Sequence, residues 1–204
     1  MDSRLSERPA RGLSHRAHLV KIVIAGAFGV GKTTFVNTLS EIAPLRTEES
    51  MTQASVGLDD LRGKPDKTTT TVGLDWGRLT FDDDLVLFLF GAPGQKRFRD
   101  IWHETARGAF GALILADTRY LAESFESLTL VEEMGLPYAV AVNLFPEAPQ
   151  YPEADLRGAL DLAPDTPLVF CDARDKTSAA RALTDLLRHL LDTDALDPHI
   201  LDTA

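Results

Sequence analysis

Gly26-Ala27-Phe28-Gly29-Val30-Gly31-Lys32-Thr33 is the stretch on which the fold turns. The octet matches G-x-x-x-x-G-K-[ST], and it lies between an apolar run, Leu19 to Ala25, and a segment of helical period. Gly26, Gly29 and Gly31 let backbone N–H groups turn inward around a phosphate, and the start of the following helix adds its dipole. Lys32 is a point charge for the outer phosphates, and Thr33 offers a hydroxyl to Mg²⁺, which completes its shell with waters and phosphate oxygens. Phe28, Val30 and Thr34 belong to the same expected cofactor-binding cradle.

Outward from this loop, short runs rich in Val, Ile, Leu and Phe alternate with helical segments. The expected strands are Val20 to Ala25, Thr71 to Phe81, Asp84 to Phe90, Ala112 to Ala116, Ala139 to Asn143 and Leu168 to Cys171. Asp82-Asp83 is a tight-turn signal, so the second and third strands form one antiparallel hairpin in an otherwise parallel sheet. Helices are expected after Gly31, around Ile101 to Arg107, and over Leu121 to Met134, Pro152 to Leu160 and Thr177 to Leu191. In the last of these, Ala180, Leu183, Leu187 and Leu190 share a face. Strands buried on both faces and joined by crossover helices make an α/β protein. The expectation is a three-layer P-loop fold, with a six-stranded mostly parallel sheet and helices on both faces.

The chain has 204 residues, enough for one hydrophobic core. Its 21 Lys and Arg against 31 Asp and Glu give a net charge of -10, a field that repels nucleic acid and acidic membranes. Any polyanion must therefore be held locally. The single Cys171 can form no internal disulfide, which points to a reducing, cytoplasmic setting. No apolar run is long enough to span a bilayer and no lipidation signal is present, so any visit to a membrane would be made through a partner. Residues 1–17, Arg-rich and without periodicity, read as a flexible basic leader; residues 192–204, with four Asp and no Lys or Arg, read as a solvated acidic tail. Residues 43 to 68 are too polar and too long for an ordinary connection.

Two further stretches give the phosphate loop a context. Gly91-Ala92-Pro93-Gly94-Gln95-Lys96-Arg97-Phe98 resembles the D-x-x-G-Q segment of Ras-like small GTPases, and Thr71-Val72-Gly73-Leu74-Asp75-Trp76 resembles their first switch; the similarity spans residues 18–191. It implies a slow GTPase acting as a molecular switch. Gly94 would present its N–H to the γ-phosphate, Gln95 would orient the attacking water, and Thr71 would join Thr33 as a metal ligand. Gln95, Lys32 and Thr71 are thus the implied catalytic residues. Gly91 stands where that family carries a metal-holding Asp, so one acidic contact is missing from this position. Such a departure followed by P-G-Q resembles bacterial small GTPases of the MglA and actinobacterial conservon type. That resemblance implies a role in signalling with a roadblock-type regulator and a sensor-kinase-like partner.

The base-reading segments depart further. Where the family has N-K-x-D the chain reads Asn143-Leu144-Phe145-Pro146, with Glu147 one residue late. Cys171-Asp172-Ala173-Arg174 resembles the S-A-K loop; the Ala173 N–H is suited to a guanine O6, and Arg174 could lie over the ring. Guanine is favoured over adenine, but both remain open. So do two other classes: a nucleotide-holding scaffold with negligible hydrolysis, and an ATP-using P-loop enzyme. His15, His18, His103, His189 and His199 lack ligand spacing. Asp117 is expected to hold its neighbouring loop. Arg46, Arg62 and Arg97 are candidate arginine fingers or plain solvated charges. Trp76 and Trp102 are either partner contacts or packing residues.

Overall fold

The computed structural model describes residues 18–43, 45–46, 75–82, 85–94 and 98–196. The leader and most of the long polar loop lie outside the described residues. In chain order the elements are β1 (His18–Gly26), α1 (Lys32–Leu39), β2 (Leu45–Arg46), β3 (Asp75–Asp82), β4 (Leu85–Gly91), α2 (Arg99–Ala106), β5 (Gly111–Ala116), α3 (Ser124–Glu133), β6 (Tyr138–Asn143), α4 (Glu153–Ala159), β7 (Leu168–Cys171) and α5 (Lys176–Asp192).

The strands lie in the order β2-β3-β4-β1-β5-β6-β7. Parallel pairing runs from β4 through β1 and β5 to β6 and β7, and β3 joins β4 antiparallel. All six expected strands are present, with the hairpin where the Asp82-Asp83 signal placed it. The seventh, β2, adds two residues antiparallel to the β3 edge. Two residues in a polar stretch carry no periodicity, which is why sequence pattern passes over them.

Both faces of the sheet are covered. Val20, Ile22 and Ile24 of β1 pack with Phe35, Val36 and Leu39 of α1 and with the apolar stripe of α5. Val23 and Ala25, the alternate residues, pack on the other side with Trp102 of α2, Leu128 and Val131 of α3 and Leu156 of α4. A strand with both side-chain sets buried must be apolar throughout, and this produces the continuous Val/Ile run before the loop.

Local chemistry shifts some boundaries. Asp175 caps α5, its carboxylate accepting from the Ser178 N–H at 2.7 Å. The buried stripe of α5 is Ala179, Ala182, Leu183, Leu186, Leu187 and Leu190, an i, i+3, i+4 series, so Ala180 sits at the border of the stripe and not within it. The helix expected from Leu121 begins as a 3-10 turn, Thr118–Glu123, and becomes α-helical only at Ser124, because Tyr120 (φ −141°, ψ 47°) breaks the regular path. Of the expected acidic tail, residues 192–194 are exposed, and residues 197–204 lie outside the described residues. Leu196 is 2% exposed, its N–H bonding back to the Leu190 carbonyl, because an apolar residue two past Asp194 can return to the core. Among the described residues no helix is long and apolar enough to cross a membrane.

Candidate nucleotide site

The C-terminal ends of β1, β4, β5, β6 and β7 lie along one edge, and the segments singled out by sequence follow them: the phosphate loop, Ala92 to Gly94, Asp117, Asn143 to Phe145, and Asp172 to Arg174. Ligands of open α/β sheets bind at this edge, where helix N-termini and loops converge.

In the phosphate loop, Gly26 and Gly31 have φ of +130° and +108°. A Cβ on Gly26 would stand 2.4 Å from the Leu115 carbonyl oxygen, and one on Gly31 would stand 2.6 Å from Asn143 Nδ2, so neither position admits a larger residue without displacement. Lys32 folds over the loop, its Nζ donating to the carbonyls of Gly26 and Ala27, both at 2.7 Å. The ammonium is thereby centred on the cradle where an oligophosphate would lie. Gly29 (φ +77°) and Thr34 are solvent-facing, Val30 is buried, and Phe28 contributes a backbone N–H on the cradle's inner side.

Gly94 comes up against this loop. A Cβ there would meet Lys32 Nζ at 2.6 Å and the Ala27 carbonyl carbon and Phe28 nitrogen at 2.7 Å. The second motif is therefore in contact with the first. Thr33, at the start of α1, donates its hydroxyl to the Asp75 carboxylate at the start of β3. A hydroxyl beside a carboxylate is a hard-oxygen pair of the chemistry that suits Mg²⁺, so the residues fit a nucleotide-borne cation. Among the described residues no three His, Cys, Asp or Glu side chains gather into a metal cage of their own. Thr71 and Gln95 lie outside the described residues, as do Arg62 and Arg97 and the side chain of Arg46.

On the base side, Asn143 is 5% exposed. Its Nδ2 donates to the Val30 carbonyl at 2.8 Å, and its Oδ1 accepts from the Ala173 N–H at 3.0 Å. One side chain thus clasps the phosphate loop to the loop after β7. The Ala173 N–H, expected to face a base, is engaged by this clasp. Arg174, expected over a base ring, instead folds onto Asp172: Nε and Nη2 each lie 2.9 Å from one carboxylate oxygen, and the Arg174 N–H also donates to Asp172 at 2.9 Å. The guanidinium holds the Asp172 carboxyl below its usual range. Leu144 is exposed where the family has Lys.

Asp117 holds its loop as expected, accepting from the Arg119 backbone N–H at 2.9 Å and pairing with the Arg119 guanidinium at 2.6 Å. That guanidinium lies 3.8 Å from the centre of the Phe145 ring, a cation–π contact bracing the segment that follows Asn143. Sequence reasoning passes over Arg119, Phe145 and Asp75 as site residues. The first two are linked only through space, and Asp75 stands out only as a charge in a strand-forming run. Trp102 is core, at 2% exposed, and Trp76 stacks on Phe88 at 5.9 Å, so both are packing residues. His18, His103 and His189 belong to no cluster. Burial pushes the Cys171 thiol up to about 11, which makes it an unreactive core group.

Comparison with known proteins agrees with this architecture. An uncharacterized protein of Methanocaldococcus jannaschii, MJ1339, is 31% identical over 126 residues, 61% of this chain and 69% of that one. The G domain of the T. maritima FeoB iron transporter superposes with a TM-score of 0.60 at 19% identity, covering 84% of this chain and 99% of that domain. The chain spans 64% of the longer FeoB cytosolic domain in its GDP form. The small GTPase Arl6 (BBS3) of Trypanosoma brucei, bound to GppNp, superposes with a TM-score of 0.59 at 16% identity, covering 86% and 99% of the two chains. These likenesses establish a Ras-like P-loop fold. The family model described as "conserved hypothetical ATP binding protein" matches residues 24–193, and the chain belongs to that family.

Proposed function

We propose that the protein is a nucleotide-dependent molecular switch that binds Mg²⁺ with GTP or GDP and hydrolyses GTP slowly. The observation that carries the proposal is Gly94 pressed against Lys32 and the Ala27-Phe28 backbone. A terminal phosphate over Lys32 would touch both motifs, so its loss would be felt in the segment leading to Gln95. Lys32 and the loop N–H groups bind and orient the phosphates, and Thr33 offers its hydroxyl to the cation. Mg²⁺, when bound, supplies neutralising charge at the phosphates. Gln95 would orient the attacking water, and Thr71 would offer a second hydroxyl to the metal. Intrinsic turnover is slow because such chemistry lacks much of its electrostatic stabilisation until an Arg is supplied. As a switch of the MglA and conservon type it would work in the cytoplasm with a roadblock-type regulator and a sensor-kinase-like partner.

Guanine is the proposed base, supported by the retained Asn143 clasp and by the guanine nucleotides bound to the structural neighbours FeoB and Arl6. A second reading, ATP use or nucleotide held without hydrolysis, draws on Leu144 and Pro146, which supply no carboxylate for guanine, and on membership of a family described as ATP binding. Calorimetric titration with GTP, GDP and ATP in excess Mg²⁺, with phosphate release followed on the same sample, separates the two. Tighter GTP and GDP than ATP, with slow release that Gln95→Ala abolishes, is the expected result. ATP-favoured binding, or no release under any condition, would replace the proposal with the second reading.

A further inference from the structure

Gly91 leaves the second motif without its acidic residue, yet the structure puts a carboxylate in the space that residue would use. In the β3–β4 ladder, Asp75 and Gly91 are direct partners. Directly opposed residues of antiparallel strands project to the same face. A Cβ built on Gly91 would lie 3.2 Å from the Asp75 Cβ and 3.5 Å from its Oδ2. Asp75 is 8% exposed, and Oδ2 accepts from Thr33 Oγ1, the hydroxyl of the phosphate-loop motif. The two positions have thus exchanged contents, carboxylate on β3 and glycine on β4. A side chain at 91 would crowd the Asp75 carboxylate, and glycine there leaves it room.

We propose that Asp75 is the acidic positioning residue of the Mg²⁺ site, acting from β3 in place of a side chain at 91. The proposal rests on the nucleotide-binding reading above and names a residue that reading lacked. A hydroxyl has one proton and two lone pairs. By taking the Thr33 proton, Asp75 leaves both lone pairs of Oγ1 for the cation, and its charge lies in the outer shell of the metal. Removing such an outer partner costs about 10–100-fold in metal affinity.

The test uses the full chain loaded with fluorescent N-methylanthraniloyl GDP or ADP. Nucleotide dissociation is followed while Mg²⁺ is varied, and Mn²⁺ binding to the same complexes is measured by electron paramagnetic resonance. Asp75→Asn keeps the volume and an acceptor for Thr33 but removes the charge. It is expected to raise the Mg²⁺ midpoint about tenfold or more and to weaken Mn²⁺ binding in parallel, leaving metal-free dissociation unchanged. The exchange variant, Asp75→Gly with Gly91→Asp, returns a carboxylate from the opposite strand. Gly91 has no left-handed φ to forbid it, and the midpoint should recover most of the way to wild type. An unchanged midpoint in folded Asp75→Asn would overturn the proposal, as would an equal acceleration of nucleotide dissociation with and without metal. If wild type binds neither nucleotide, the nucleotide-binding reading itself falls and takes this inference with it.

Discussion

Asn143 is the side chain whose loss should be felt at both ends of the nucleotide site. It is 5% exposed and joins two loops from separate strands through the Val30 carbonyl at 2.8 Å and the Ala173 N–H at 3.0 Å. Asn143→Ala leaves one buried acceptor and one buried donor without their partner, each costing about 1–3 kcal/mol. The expected destabilisation is roughly 2–5 kcal/mol, or a Tm lower by roughly 5–15 °C for a domain of this size. Urea unfolding of the nucleotide-free chain, with an unchanged m value, is the measurement. Gly31 supplies an internal control, because a Cβ there would sit 2.6 Å from Asn143 Nδ2 at φ +108°. Gly31→Ala in the wild-type background bears both left-handed strain, about 1–2 kcal/mol, and displacement of the clasp. In the Asn143→Ala background only the strain remains, so the double variant should be more stable than the sum of the singles by about 1 kcal/mol. A loss below about 0.5 kcal/mol for Asn143→Ala, within the range of ordinary surface changes, or strict additivity with Gly31→Ala, would refute the clasp.

Other perturbations separate site from scaffold. Lys32→Ala removes the ammonium that bridges Gly26 and Ala27 and should abolish tight triphosphate binding by calorimetry while leaving the far-ultraviolet circular dichroism unchanged; wild-type affinity would contradict the phosphate-loop assignment. Leu183→Ala empties a fully buried position in the α5 stripe and should cost about 2–5 kcal/mol in chemical denaturation. The Cys171 thiol has its folded pKa raised from 9.0 to about 11, so the folded state holds the proton more tightly. Its contribution is complete below pH 9 and is lost as pH rises toward 11. Cys171→Ser should therefore flatten the alkaline fall in stability, and Ellman's reagent at pH 8 should label the thiol only on unfolding.

The phosphate loop, the hairpin and the six expected strands could be read from the chain because each depends on neighbours in sequence. A glycine spacing, an alternation or a run of β-branched residues carries its geometry with it. The α5 stripe was legible for the same reason, apart from the small rotation that moves Ala180 to its border. Contacts between distant segments could not be read in this way. Asp75 faces Gly91 and Thr33 only once the register of β3 on β4 and of β4 on β1 is set, and a slip of one residue would turn its carboxylate to the other face. The missing acid at 91 was visible from the sequence, but the carboxylate filling its space was not. Likewise the sequence marks Asn143 as a base-loop residue, and packing of β6 between β5 and β7 decides that it clasps Val30 to Ala173. Local pattern determined the elements and the phosphate chemistry; strand register, a property of pairs far apart in the chain, decided which side chains meet there.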